Sequence, residues 1–134
     1  MTATADLIAR YYAAFNAGDT EGMLACLSEH VRHDVNQGGA RHGKQAFADF
    51  CAHMARCYRE TLVDIVIMTE PTGTRVAAEF IVEGEYIATD EGLPEAEGQT
   101  YRLPAGTFFE VHGGLITRVT TYYNLQDWIA QVSA

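Results

Sequence analysis

The chain is poor in positive charge. Among its 134 residues, Lys and Arg number 9 against 18 Asp and Glu, which gives a formal net charge of −9 at pH 7. A chain of this charge repels phosphate backbones and anionic lipid surfaces. We therefore expect neither nucleic acid nor a membrane as its partner.

Long hydrophobic runs are also absent. No apolar segment reaches the ~18 residues that a membrane span needs, and the first residues, with Asp6 and Arg10, lack the apolar stretch of a signal peptide. These absences predict a cytoplasmic protein. Hydrophobic residues make up 48% of the chain, which favours one folded domain over residues 1–134 with a substantial core.

Cysteine is present in an odd number and without a CxxC pair. Cys26, Cys51 and Cys57 lie in segments with helical periodicity. This pattern is typical of buried, reduced thiols in the cytosol and does not indicate a disulfide framework.

Histidines crowd one short segment, but their spacing matches no common metal site. His30, His33, Asp34 and His42 are close in sequence, and no two histidines stand four apart on a helix. We expect no metal and no other cofactor.

Hydrophobic periodicity divides the chain into a helical half and a strand half. Apolar residues recur at helical spacing in residues 5–19, and Asp19 is placed to cap a second short helix. A short strand is predicted over 30–36 and a helix over Lys44 to Tyr58. From residue 60 the period becomes two, which predicts long strands over 60–70, 75–86, 99–111 and 115–124, followed by a terminal helix over 125–132.

This order predicts an α+β fold in which helices cover one face of a curved sheet. Pro104 and Gly106 fall inside a predicted strand. Such residues favour a bulge or a sharp bend at that point.

Two segments carry a resemblance to known families. "RYYAAFNAGDTEGMLACL", a short strand ending in His33-Asp34, and Gly43 opening a helix resemble the first half of the ketosteroid isomerases. Residues 84–132, "GEYIATDEGLPEAEGQTYRLPAGTFFEVHGGLITRVTTYYNLQDWIAQV", resemble the second half of the SnoaL-like polyketide cyclases. Both families belong to the nuclear transport factor two-like superfamily. The resemblance implies a cone-shaped, curved mixed β-sheet wrapped around N-terminal helices, of the cystatin-like α+β barrel type, with a pocket at the open end and a homodimer formed through the outer sheet face.

The resemblance also implies catalytic roles for residues of the first half. Asp34 matches the carboxylate that moves a proton to and from carbon, and Tyr11 matches the tyrosine that donates a hydrogen bond to a substrate oxygen. A carboxylate in an apolar cavity gains proton affinity, which suits a general base. The alternative for Asp34 is a structural role, accepting backbone hydrogen bonds from the following turn.

Strand alternation points to a different residue. His33 shares its parity with Val31 and Val35 and should face the interior, whereas Asp34 should face the other way. A bulge could bring both side chains to the pocket. His33 is therefore a second candidate acid or base, and the alternative for it is a hydrogen-bonded imidazole with a structural role.

The chain departs from both family patterns at the second acid. The aspartic acid that the isomerases use as a donor is replaced by Thr107 or Gly106, and the cyclase aspartate after the final aromatic pair is replaced by Asn124. These departures argue against true steroid isomerase activity. A non-catalytic ligand-binding or dimeric assembly domain of the same fold is the alternative to an enzyme.

The expected function is that of a cofactor-independent isomerase, cyclase or lyase. It would use a pocket carboxylate for proton transfer on a small, largely apolar carbonyl compound. The expected pocket lining consists of residues with inward parity or near the mouth: Asn36, Tyr86, Tyr101, Thr107, Tyr123, Asn124 and Trp128.

Overall fold

A computed structural model of the chain describes residues 2–35 and 37–133. Its helices are α1 (Ala3–Asn16), α2 (Thr20–Leu24), α3 (Lys44–Cys57) and α4 (Leu125–Val132). Its strands are β1 (Leu27–Val35), β2 (Ala40–His42), β3 (Tyr58–Thr69), β4 (Arg75–Tyr86), β5 (Thr100–His112) and β6 (Leu115–Tyr123).

The strands form one curved, mixed sheet in the order β2-β1-β6-β5-β4-β3. Neighbouring strands are antiparallel except β1 and β6, which are parallel. The α+β prediction is therefore confirmed. The sheet remains open between its edge strands β2 and β3, so within the described residues it does not close into a barrel.

Helix α1 is fixed at both ends. At its start, the Thr2 hydroxyl oxygen accepts a hydrogen bond from the Ala5 backbone N–H at 3.1 Å. At its end, the Asn16 side chain donates to the Leu62 carbonyl at 3.0 Å and accepts from the Leu62 N–H at 2.9 Å. This pair of bonds joins the helix to β3, and it sets which face of α1 meets the sheet.

The β5–β6 hairpin turns at Gly113 and Gly114. Both glycines have positive φ angles, 59° and 77°, as a two-residue type I′ turn requires. The bulge expected near Pro104 and Gly106 does not occur there, because β4 and β5 pair without a register shift along their whole length. On β5 the register shifts instead in the pairing with β6, between Glu110 and Val111.

The helices divide the sheet into two faces, which we call the inner and the outer face. On β5 the inner face carries Tyr101, Leu103, Thr107, Phe109 and Val111, all buried. α1 packs on this face, with the Tyr11 and Tyr12 rings 5.7 and 5.9 Å from Phe109. None of the helices in the described residues covers the outer face. None of the described helices is both long and apolar enough to cross a membrane.

Candidate functional site

A carboxylate and a tyrosine face each other across three strands of the inner face. Glu60 on β3 pairs with Gly84 on β4, and Gly84 pairs with Tyr101 on β5. The Tyr101 hydroxyl reaches across the middle strand and lies 2.5 Å from Glu60 Oε2. Gly84 permits this crossing, because a Cβ atom at that position would overlap the Tyr101 ring.

Burial gives this pair its electrostatic character. Desolvation raises the pKa of the Glu60 carboxyl, and the hydrogen bond from Tyr101 acts in the opposite direction. Burial also raises the pKa of Tyr101, and the negative charge of Glu60 adds to that effect. The proton of the pair therefore rests on the tyrosine, and Glu60 has the increased proton affinity that suits a group accepting and returning a proton.

Aromatic rings surround the pair on the α4 side. The Trp128 ring lies 5.9 Å from Tyr101, 5.9 Å from Tyr58 and 4.9 Å from Tyr86, all in edge-to-face contacts. Trp128, Tyr86 and Tyr101 were each predicted to line the pocket, and the structure brings them together. Because these rings exclude water, they maintain the desolvation that acts on Glu60.

The Tyr86 hydroxyl is already engaged by the protein. It donates to the Pro94 carbonyl at 2.6 Å and accepts from the Asp90 N–H at 2.9 Å. Both partners belong to the loop of residues 87–99. The ring of Tyr86 thus contributes to the aromatic surroundings, while its hydroxyl holds the loop.

A second polar group lies between helices α1 and α3 and the inner face of the sheet. The Tyr12 hydroxyl and His33 Nδ1 are buried and have no hydrogen-bond partner within the described part of the chain. The His33 ring is 4.8 Å from Phe47 and 4.7 Å from Phe50 of α3. On β5, the Thr107 hydroxyl faces the inner side and lies 3.4 Å from that of Thr121. A buried polar atom without a hydrogen-bond partner costs free energy. Such atoms are therefore expected where a ligand or a water molecule supplies the missing hydrogen bond.

The second group is uncharged at neutral pH. Burial, with a further contribution from Arg41, lowers the pKa of His33 to about 4, although Asp34 acts in the opposite direction. Burial, and then the neighbouring Tyr12, raises the pKa of Tyr11 well above its usual value. These side chains can therefore donate hydrogen bonds without carrying charge.

Asp34 lies on the other side of β1. Its carboxylate is on the outer face, where it accepts hydrogen bonds from Arg32 Nε at 2.9 Å and from the Thr120 hydroxyl at 2.9 Å. The partial burial of Asp34 raises its pKa, but these bonds and the charges of Arg32 and Arg118 outweigh it, so the pKa is lowered overall. The expectation of a pocket-facing Asp34 in apolar surroundings is corrected here, because regular strand alternation turns His33 inward and Asp34 outward.

The remaining predicted residues lie at the end of β6. Tyr123 pairs with Ala105 on the inner side, and burial together with the charges of Glu60 and Asp90 raises its pKa. The Asn124 side chain caps α4 by accepting from the Asp127 N–H at 3.1 Å. Asn36 lies outside the described residues. The structure thus brings Tyr123 towards Glu60 and gives Asn124 a structural contact.

Two functional candidates were missed from the sequence, Glu60 and Tyr12. Glu60 shares the parity of the buried Leu62 on β3, which is a signal that could have identified it. Tyr12 has only the apolar spacing of α1 to mark it, and that spacing does not reveal a functional role. Within the described ranges, one cluster could hold a metal ion: His53, Cys57 and Asp90.

The open mixed sheet and the N-terminal helices packed on its inner face define an α+β domain of the ketosteroid isomerase-like type. Residues 8–119 match the SnoaL-like domain family, and the chain belongs to that family. The resemblance noted in the sequence is thereby confirmed.

Solved structures with high sequence identity support the same assignment. A candidate polyketide cyclase from Silicibacter sp. TM1040 is 66% identical, with 98% of this chain and 96% of that chain covered and a TM-score of 0.96. A candidate polyketide cyclase from Pseudomonas putida KT2440 is 61% identical, with 99% of each chain covered and a TM-score of 0.96. An NTF2-like protein from Burkholderia xenovorans LB400 shares the fold at 15% identity, with 98% of this chain and 96% of that chain covered and a TM-score of 0.78. No significant match was found among curated proteins.

Proposed function

We propose that the protein is a cofactor-independent enzyme of the cyclase or isomerase type that moves a proton on a small, largely apolar carbonyl compound. The observation that carries this proposal is the Glu60 carboxyl, held on the inner face at 2.5 Å from the Tyr101 hydroxyl and raised in pKa by burial. The candidate polyketide cyclases at 66% and 61% identity are consistent with a carbonyl-rich substrate.

In the proposed reaction Glu60 acts as the general base. Its carboxylate takes a proton from the carbon next to the substrate carbonyl, and the electron pair of that C–H bond moves to the carbonyl oxygen as an enolate. Neutral donors stabilise the enolate oxygen, and the candidates are the Tyr11 and Tyr12 hydroxyls of α1 and the His33 imidazole of β1. The enolate carbon then attacks a second carbonyl, which closes a ring as the π electrons of that carbonyl move to its oxygen, and this oxygen takes the proton back from Glu60. Alternatively, another carbon recovers the proton from Glu60, which isomerises the substrate.

The test follows hydrogen exchange at carbon, which is measurable whatever product the enzyme forms. A panel of small β-keto esters and unsaturated ketones is incubated with the enzyme in D2O, and deuterium uptake is followed by NMR. We expect Glu60→Gln, which keeps a hydrogen-bonding group beside Tyr101, to lower the rate by a factor of roughly 100 to 10,000.

Glu79→Gln is the matched control, because Glu79 is an exposed glutamate of β4 on the outer face. It should exchange at the wild-type rate. A Glu60→Gln variant that exchanges as fast as the wild type would refute the role of Glu60. Ligands that bind but never exchange or react would instead support the non-catalytic binding domain.

We further propose that the outer face joins two copies of the chain. Large apolar side chains on it are about half exposed, Val66 at 48%, Met68 at 47%, Phe108 at 48% and Tyr122 at 47%. A patch of exposed apolar side chains of this kind is typical of a protein–protein interface. Sedimentation at micromolar concentration should give a dimer, Phe108→Asp should give a monomer, and Ile87→Asp in the 87–99 loop should leave the dimer intact. A wild-type monomer would refute this proposal.

A further inference from the structure

A nitrogen, a sulfur and an oxygen ligand meet where α3 ends. His53 and Cys57 stand four residues apart on the last turns of α3, so their side chains lie on the same side of the helix. The 87–99 loop brings Asp90 to them. The imidazole nitrogen, the thiol sulfur and a carboxylate oxygen all lie within 4.8 Å of one another, and His53 Nε2 is 3.0 Å from Asp90 Oδ1.

The position of Asp90 is fixed by groups that do not belong to the cluster. The Tyr58 hydroxyl donates to Asp90 Oδ2 at 2.6 Å, which leaves Oδ1 directed at His53. The Asp90 backbone N–H donates to the buried Tyr86 hydroxyl at 2.9 Å. Ligating carboxylates in metal sites are held by outer hydrogen bonds of this type.

We infer that His53, Cys57 and Asp90 bind a thiophilic divalent cation of the zinc type and thereby clamp the 87–99 loop to α3. The combination of imidazole, thiolate and carboxylate favours zinc over magnesium or calcium, which prefer oxygen ligands alone. In a tetrahedral zinc site ligand atoms are about 3.4 Å apart, given metal–ligand distances of ~2.0–2.3 Å. Shifts of about 1 Å would close the cluster around the ion at these distances.

Access and charge agree with this assignment. The His53 side chain is 42% exposed, whereas Cys57 is buried, so the ion would enter past the imidazole. The loop that carries Asp90 also contains Glu91, Glu95 and Glu97 and no Lys or Arg. Its negative charge attracts cations to the site. This inference does not depend on the proposed reaction, and it departs from the sequence-based expectation of no metal.

Cobalt provides a direct test, because it replaces zinc and reports its ligands. The untagged chain is reduced, stripped with a chelator and titrated with Co²⁺ at pH 7.5. We expect one equivalent to bind, with the near-ultraviolet band of a cobalt–thiolate bond and the visible bands of a tetrahedral ion, and Zn²⁺ should displace it. A folded wild-type chain that shows no thiolate band would overturn the inference.

Variants distinguish this site from other thiols and imidazoles. Cys57→Ala should abolish the thiolate band, whereas Cys51→Ala, a thiol on the same helix, should retain it. His53→Gln alters a partly exposed side chain and decides the question if Cys57→Ala does not fold; it should weaken Zn²⁺ binding at least ~10-fold. Tyr58→Phe should weaken binding by about 10- to 100-fold through the orientation of Asp90. Loss of the band in Cys51→Ala, or unchanged affinity in His53→Gln, would contradict the assignment.

Discussion

The Tyr101 hydroxyl lies 2.5 Å from the Glu60 carboxylate, and the two residues sit on strands that are not neighbours. The strand between them contributes Gly84, over which the Tyr101 ring passes. The contact therefore depends on all three strands and on the absence of one side chain. Burial raises the pKa of the Glu60 carboxyl, and the hydrogen bond from Tyr101 opposes this effect because it stabilises the charged form.

The first prediction concerns the pH dependence of the proposed reaction. Removal of the Tyr101 hydroxyl takes away the hydrogen bond that lowers the pKa of Glu60, so the pKa of Glu60 should rise further in Tyr101→Phe. A base works only when deprotonated, so the rising limb of the pH–rate profile should move to higher pH. The measurement is kcat/KM for deuterium exchange across pH. Tyr122→Phe on the outer face serves as control, and an unshifted limb in Tyr101→Phe would argue against Glu60 as the base.

The second prediction concerns the space above Gly84. A Cβ atom there would overlap the Tyr101 ring, so Gly84→Ala should lower the free energy of unfolding by about 1–3 kcal/mol, as overpacking does. It should also displace the hydroxyl and shift the pH–rate profile in the same direction as Tyr101→Phe. Urea unfolding measures the first effect.

A double-mutant cycle isolates the cause. In a Tyr101→Ala background the ring is gone, so the further change Gly84→Ala should have little effect on stability. Gly39→Ala is the matched control, since no atom lies within 4 Å of a Cβ at that position. If Gly84→Ala lowered the free energy of unfolding equally in the wild type and in Tyr101→Ala, the overlap with the Tyr101 ring would not be the cause of the loss.

Much of the fold was predictable from the sequence because it follows from local rules. The period of apolar residues changes near residue 60, where the last helix of the first half gives way to β3. The Gly113-Gly114 pair predicts its hairpin through the positive φ angles that glycine tolerates. Strand parity alone also turned His33 inward, as the structure has it.

The site was less predictable because it depends on pairings between distant segments. Glu60 gains its role from Tyr101, which is 41 residues away in sequence. The His53, Cys57 and Asp90 cluster joins α3 to a loop more than 30 residues further on. Nothing local to Asp90 distinguishes it from its acidic neighbours, since the contacts with Tyr58 and His53 arise only in the folded chain.

The third prediction addresses Asp34. Its carboxylate accepts hydrogen bonds from Arg32 and Thr120 on the outer face, so Asp34→Asn should weaken them and lower the free energy of unfolding by about 1 kcal/mol. Because these contacts lower the pKa of Asp34 in the folded state, the stabilisation exists above the unfolded pKa and is lost as pH falls. The difference between wild type and variant should therefore shrink in acid.

Turnover gives the second measurement on Asp34. An outward carboxylate does not reach the inner face, so Asp34→Asn should retain the wild-type rate per folded molecule. A rate loss of about 100-fold or more with unchanged melting temperature would restore Asp34 as the base. Arg32→Gln, which removes one partner of the same carboxylate, should reproduce part of the loss of stability.

The last prediction concerns acid stability and His33. Burial lowers its pKa to about 4 in the folded protein, whereas an unfolded histidine titrates near 6.5. Below about pH 6.5 the unfolded chain gains a proton that the folded chain refuses, so stability falls as pH drops through that window and levels off near pH 4. A pKa shift of this size corresponds to about 3 kcal/mol at most.

Urea unfolding at pH 7.5 and 5 should show this loss of stability in the wild type and a smaller loss in His33→Gln. His42→Gln changes an exposed histidine of β2. Its free energy of unfolding should fall between these pH values by as much as that of the wild type. If His33→Gln and the wild type lose the same stability between these pH values, the imidazole already takes up protons in the folded state, and His33 would no longer count among the uncharged donors of the inner face.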